Sequence, residues 1–244
     1  MRRFFIDEKL IDKDRVTVKG PEAHHIRDVV RLKHGDRFIG LDGKGKIYTL
    51  RVIEAKKDVI ACIERISLQG AGNNKILLAC AIPKKNKMDD IVEKATELGA
   101  VDIIPMITER TIVKADSKAS VNKRFRWQKI AIEASKQSGR IEFPQIHNIV
   151  GFEEALKVAA SLDYDNKIIP FVGEGMNHIN NVMRQGVKNT AIFIGPEGDF
   201  TQKEIAFAKS QGFKIVSLGA LVLKVDTACI FALSVVSSGC FAGT

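Results

Sequence analysis

Hydrophobic and polar positions divide the chain into two regions with different periods. Up to Leu68, short apolar or alternating pieces at Arg2–Ile6, Arg15–Val18, Asp36–Leu41, Ile47–Ile53 and Val59–Ile66 are cut by Gly, Asp and Lys, and a single helical stretch covers Pro21–Val30. Short strands bounded by turn residues at this density predict a small β-barrel. From Lys75 the pattern changes to strand, helix, strand. ILLACAI is continuously apolar; Lys87–Leu98 then sets Met88, Ile91, Val92, Ala95 and Leu98 on one helical face and Asp89, Asp90, Glu93, Lys94 and Glu97 on the other; Gly99 closes it before VDIIPMI. Such alternation builds a parallel sheet flanked by helices. Further units are expected over Phe152–Leu162, Lys167–Val172 and Asn177–Gln185. Between the two patterns lies QGAGNN, Gln69–Asn74, small and uncharged like a linker. The predicted domains are therefore residues 1–70 and 71–244 of an α/β protein.

The second region centres on Ala191–Leu233. Ala191–Ile194 is an apolar run suited to a strand covered on both faces, and Gly195, Pro196 and Gly198 stop it abruptly. Thr201 and Glu204 then have the spacing of a capping box, so a helix starts at once. Ile215–Leu218 repeats the arrangement. Gly219 ends that strand, and LVLKVDTA runs into a helix with Asp226 or Thr227 as the expected N-cap. Two Gly-marked strand ends about twenty residues apart are expected side by side, walling one crevice as ligand sites in open α/β sheets do. A plain βα turn is the simpler alternative for either loop taken alone. Glycines there let backbone approach a flat ligand where a Cβ would collide.

Charge adds a partner class. The 244 residues carry a formal charge of +9 with a pI of about 9.4, which points to a polyanion. The excess is concentrated in two places. The first 70 residues hold 16 basic against 11 acidic side chains, and in Thr108–Arg140 the basic Arg110, Lys114, Lys118, Lys123, Arg124, Arg126, Lys129, Lys136 and Arg140 oppose only Glu109, Asp116 and Glu133. A phosphate footprint in two parts would include Arg2, Arg3, Arg27 and Arg31 from the first and Arg110, Arg124 and Arg126 from the second. A solvated surface is the plainer reading of either piece. Trp127, Ile130, Ala131 and Ala134 give the second piece an apolar helical face.

Several chemistries lack support. There is no G-x-G-x-x-G and no G-x-x-x-x-G-K-[ST]. His24 and His25 diverge by about 100° on a helix, and His34, His147 and His178 have no partner at ligand spacing, so no metal site is expected. Cys62, Cys80, Cys229 and Cys240 lie in apolar settings without C-x-x-C spacing and read as reduced core residues of a cytoplasmic protein. No apolar run reaches the roughly 18 residues that span a bilayer. TACIFALSVV, Thr227–Val236, is apolar on nearly every side, so its helix must be covered on both sides, by its own domain or a second copy.

IGPEGDFTQKE followed by LGALVLKVDTA resembles the paired cofactor loops of the SPOUT methyltransferases, and within them the RsmE family, which methylates N3 of a uridine in small-subunit ribosomal RNA. MRRFFI, HHIRDVVRLKHGD, KMDDIVEKATELGA and RWQKIAIEASKQSGR stand in that family's order, so the resemblance covers essentially the whole chain. It implies a PUA-like RNA-binding barrel, a SPOUT domain with a C-terminal trefoil knot, a homodimer packed across the last helix, and S-adenosyl-L-methionine as cofactor. The cofactor contacts it implies are Val172, Gly173, Glu174, Ile194, Gly195, Gly198, Leu218, Gly219, Leu223, Thr227 and Ala228. Uracil N3 carries a proton at neutral pH, so its methylation calls for a cation near the developing negative charge and an acceptor for the proton. Arg140 and Lys224 are the candidate cations and Glu197 the candidate acceptor.

The chain departs from the family pattern at four positions. Leu221 and Lys224 stand where Arg is usual, Asp226 where Glu is, and Asp199 where Gly is. Lys keeps the charge of Arg without its planar fork. Two alternatives follow from these changes: an RNA-binding assembly protein without catalysis, or an enzyme of the same fold acting on another RNA.

Overall fold

A computed structural model describes residues 1–68, 75–84, 87–111, 117–162, 164–173, 175–183 and 189–241, without the side chains of 117, 118 and 239–241. The linker expected at 69–74, the candidate Glu174 and the Cys240 side chain lie outside the described residues.

The chain divides into two compact units, Met1–Ala71 with Ser135–Phe143, and Gly72–Ala134 with Pro144–Thr244. The first contains β1 (Arg3–Phe5), β2 (Ile11–Asp12), β3 (Arg15–Val18), α1 (Gly20–His24), β4 (Arg37–Leu41), β5 (Lys46–Ala55) and β6 (Val59–Leu68). The helical stretch read over Pro21–Val30 is α1 followed by one π turn, His25–Val29. The strands form a six-stranded sheet in the order β1-β4-β5-β6-β3-β2. All pairs are antiparallel except β1 with β4. Alternate residues supply the core: Phe38 from β4, Tyr48, Leu50 and Val52 from β5, and Val59 and Ala61 from β6, closed by Phe4, Ala23 and Ile26. Period two on the strands thus puts one face inward.

Ser135–Phe143 joins this unit through local contacts that the sequence pattern did not reveal. Arg3 Nη1 donates to the Gly139 carbonyl at 2.6 Å, the Lys136 ammonium pairs with Glu22, and Phe143 packs its ring 5.2 Å from that of Phe5. Gly43, at φ +77°, faces Phe143 so closely that a Cβ would meet the ring. Only glycine combines that left-handed backbone with that contact.

The second unit contains β7 (Ile76–Ala81), α2 (Lys87–Glu97), β8 (Ala100–Ile107), α3 (Ser117–Ser138, whose last turn belongs to the first unit), β9 (Gln145–Ile146), β10 (Val150–Gly151), α4 (Phe152–Ser161), β11 (Asn166–Pro170), α5 (Ile179–Met183), β12 (Thr190–Ile194), α6 (Gln202–Ser210), β13 (Lys214–Val216) and α7 (Val225–Phe241). The sheet order is β10-β8-β7-β12-β11-β13, with β9 also on β8, and every pair is parallel. Strand alternation feeds two cores, one on each face. Ile76, Leu78, Cys80, Ile192 and Ile194 pack with α2, α3 and α7, while Leu77, Ala79, Ala81, Ala191 and Phe193 pack with α4 and α6. Continuous apolar strands are what a sheet covered on both faces requires.

The structure differs from the sequence pattern at two places. The strands now named β12 and β13 are not neighbours: β11 lies between them and pairs with both. Sequence proximity misled because the chain returns to the edge beyond β11. The last helix also starts earlier than read. It runs from Val225, with Ala228 N–H donating to the Lys224 carbonyl at 2.8 Å, so Asp226 sits inside the first turn. Its carboxylate still acts as a helix-start anion, held below its usual range chiefly by Lys87 Nζ at 2.8 Å. Helix α7 buries Val225, Ala228, Cys229, Ala232, Leu233 and Val236 in its own unit, and leaves Ile230 and Phe231 exposed. Cys80 and Cys229 are buried free thiols and Cys62 a half-buried one. Among the described residues no helix is long and apolar enough to cross a membrane, and none form a metal-ligating cluster.

Candidate functional site

At the carboxyl ends of β11, β12 and β13 the chain opens a cavity of about 340 Å³. Three loops wall it: Phe171–Gly173 after β11, Gly195–Asp199 after β12, and Ser217–Leu223 after β13, with Val225 and Ala228 of α7 behind them. This is the position where open parallel sheets hold ligands, and the volume falls within the roughly 300–1,000 Å³ of small-molecule sites.

The second loop is built from local rules. Gly195 leaves β12 beneath the Phe200 ring, and a Cβ there would lie 3.1 Å from two ring carbons and 3.2 Å from Asp199 Oδ1. Asp199 N–H closes the turn on the Pro196 carbonyl at 2.9 Å. The helix beyond is capped as its sequence predicts: Thr201 Oγ1 accepts from Glu204 N–H at 3.3 Å and Glu204 Oε2 from Thr201 N–H at 2.8 Å. Such a cap is worth about 1 kcal/mol. The turn after β8 reaches the same place. Arg110 Nη1 donates to the Gly198 carbonyl at 2.7 Å, Glu109 N–H to Glu204 Oε1 at 2.9 Å, and Thr201 Oγ1 to Glu109 Oε2 at 2.9 Å.

Asp199 has φ +58°, a backbone conformation rare outside glycine. Its carboxylate holds it there. Oδ1 accepts from Phe200 N–H at 2.8 Å and Oδ2 from Val172 N–H at 3.1 Å, tying the first loop to the second. In the third loop Ser217 Oγ accepts from Gly219 N–H at 3.1 Å and lies 3.2 Å from the Gly219 carbonyl, to which it donates. Gly219 has φ +129° and a Cβ there would meet nothing within 4 Å, so the backbone turns without filling the space beside it.

Of the residues read as cofactor contacts, Val172, Gly173, Ile194, Gly195, Leu218, Gly219, Leu223 and Ala228 line the cavity. Gly198 and Thr227 do not. Gly198 faces the Arg110 side chain, where a Cβ would find ordinary contacts at 3.5 and 3.7 Å, and Thr227 is exposed on α7. Pro196, Asp199, Ala220, Leu221, Val222 and Val225, which lie in the two stretches read as cofactor loops but are not among the named contacts, also line the cavity, and Pro170, Phe171 and Ser217 join them from outside those stretches. The pair Leu221 and Val222, 80 % and 78 % exposed, is an apolar signal in a loop that strand and helix patterns do not use.

Glu197 lines the cavity, and its Oε1 accepts from Lys84 N–H at 3.1 Å. Lys224 is exposed just before α7 and is not on the cavity wall. Arg140 is half-buried in the first unit, where burial lowers its guanidinium pKa against the pull of Glu142. The basic residues differ in how they are held. Arg2 and Arg31 are exposed. Arg27 bonds Asp28 and the carbonyls of Lys56 and Lys57, and Arg126 pairs with Asp89. The Arg124 guanidinium stacks 5.1 Å over the exposed ring of Phe125.

Comparison with known proteins places both units. Residues 71–237 match the family model of the RNA methyltransferase domain, and residues 11–64 that of the RNA methyltransferase PUA domain. The chain is 30% identical over 252 residues to the ribosomal RNA small subunit methyltransferase E of Bacillus subtilis, covering 97% of this chain and 96% of that protein. It superposes with a TM-score of 0.81 on the Neisseria gonorrhoeae ribosomal RNA small subunit methyltransferase E, solved bound to S-adenosyl methionine, at 30% identity over 96% of both chains. A putative methyltransferase from Legionella pneumophila, solved with the bound cofactor SAM, gives 0.82 at 29% identity over 97% of this chain and 96% of that one.

Proposed function

Because the chain belongs to the ribosomal RNA small subunit methyltransferase E family, we propose that it methylates N3 of a uridine in small-subunit ribosomal RNA from S-adenosylmethionine. The observation that carries the reading is the three-loop cavity at the strand ends. Its wall combines loop backbone with aliphatic side chains, with Gly219 leaving room beside the chain. That suits a flat heterocycle bearing a flexible polar tail. The cofactor supplies an electrophilic methyl group when bound.

The protein's share of the reaction is placement. Loops braced by Asp199, Glu204 and Arg110 fix the cavity's shape, and Leu221, Val222 and Leu223 exclude water from it once ligand covers them. Glu197 is the proposed acceptor for the N3 proton. Lys224 and Arg140 are the proposed cations for the charge developing on the uracil. The β-rich first unit and the basic helix α3 supply phosphate contacts, which raise affinity without choosing the nucleotide.

The same reading includes a knotted path for the C-terminal segment, a cytoplasmic location, and a homodimer that covers Ile230 and Phe231. Small-subunit RNA from cells lacking this gene tests it: nucleoside mass spectrometry should show loss of N3-methyluridine. An unchanged content of that nucleoside rules the reading out.

A further inference from the structure

Among the described residues lining the cavity, the charged side chains are Glu197 and Asp199, both acidic. They are not equivalent. Glu197 is exposed, whereas Asp199 is half-buried in the wall with its oxygens aimed at Phe200 N–H and Val172 N–H. Two neutral donors satisfy its hydrogen-bonding needs without cancelling its charge. Arg110, the cation that acts on it, spends its guanidinium on the Gly198 carbonyl and is not on the wall; Glu204 adds negative potential. Burial accordingly pushes the Asp199 carboxyl upward, and the two N–H donors and Arg110 only partly offset this. A desolvated carboxylate so placed is stabilised by a ligand that brings its own positive charge.

We propose that Asp199 is a selectivity and positioning residue, a fixed negative charge that favours the sulfonium-bearing S-adenosylmethionine over S-adenosylhomocysteine, its product uncharged at sulfur. The proposal rests on the cofactor reading above. Backbone position strengthens it. Asp199 stands at φ +58°, where glycine would be unstrained. Asp adopts this backbone because its short carboxylate bonds nearby N–H groups, and here that carboxylate braces Val172 and charges the wall. After methyl transfer the sulfonium charge is gone, so the same carboxylate no longer favours the bound product, and release is promoted.

The test is isothermal titration of the full-length protein with S-adenosylmethionine and with S-adenosylhomocysteine, for wild type, Asp199→Asn and Asp199→Gly. Asn keeps one of the two hydrogen-bond acceptors and tolerates the left-handed backbone; Gly relieves the backbone but removes the brace. The quantity read is the ratio of the two affinities, which general loosening of the loops does not move. The ratio should fall about fivefold to tenfold toward the product in both variants, as expected for one unit charge removed from the wall of a partly desolvated site. Equal weakening of both ligands, or no change in either, overturns the proposal and leaves Asp199 a loop brace. Wild type binding neither ligand would instead remove the cofactor reading, and this assignment with it.

Discussion

Arg110 Nη1 donates to the Gly198 carbonyl at 2.7 Å, so a residue read from sequence as a phosphate contact holds the loop beside the cavity. A charge-assisted bond of this kind at an exposed site is worth roughly 1 kcal/mol after solvent screening. Arg110→Ala should therefore weaken cofactor binding about threefold to tenfold by calorimetry, with little change in the salt dependence of RNA binding. A salt slope reduced by about one unit with cofactor affinity intact would return Arg110 to the phosphate footprint.

The two loop glycines should separate. A side chain at Gly195 meets the Phe200 ring and Asp199 at 3.1–3.2 Å, tighter than ordinary contact. Phe200 is buried and packs 5.1 Å from Phe152, so it has little room to yield. Gly195→Val should abolish cofactor binding in an equilibrium titration. Gly198→Ala adds a Cβ in ordinary contact with Arg110, and should retain affinity within about threefold, roughly 0.7 kcal/mol. Equal losses in both would show that the loop tolerates no Cβ at all.

The exposed face of α7 carries Ile230 and Phe231, 40 % and 36 % exposed, beside Thr227 and Ser234. The opposite face is already buried in its own unit. If a second copy covers the exposed pair, sedimentation at micromolar concentration should give a dimer, and Phe231→Asp should give a folded monomer with an unchanged circular dichroism spectrum. A wild-type monomer contradicts this assembly.

In the first unit, Glu8 pairs with Lys46 Nζ at 2.6 Å and Lys44 Nζ at 3.0 Å. These bonds hold its carboxyl down at about 2, against an ordinary 4.5. A folded value below the unfolded one contributes stability above the unfolded pKa and loses it as pH falls through the folded one. The melting-temperature gap between wild type and Glu8→Gln should thus stay constant above about pH 5 and close as pH drops from there toward 2. A gap that persists at pH 2 would place the role of Glu8 outside its charge.

Period and punctuation made much of this protein legible. The apolar runs at ILLACAI and Ala191–Ile194 carried the buried strands because both faces of the sheet are covered, and Thr201 with Glu204 carried the helix start because a capping box is local. Features set by distant contacts stayed hidden. Nothing near Ile215 in the sequence says that β11 separates β12 from β13, and nothing in QSGR says that Gly139 meets Arg3. The cavity was legible at its glycines and illegible at its wall. Leu221 and Val222 sit in a loop that belongs to no periodic element, and no local pattern shows that the Asp199 carboxylate accepts from Val172 N–H, in the loop after β11.

Small ribosomal subunits from cells lacking this gene, incubated with the purified chain and S-adenosylmethionine, should acquire N3-methyluridine, detected by nucleoside mass spectrometry after nuclease digestion. Wild-type protein that binds the cofactor yet leaves those subunits unmethylated, or that yields a different methylated nucleoside, would rule out uridine-N3 methylation as its reaction.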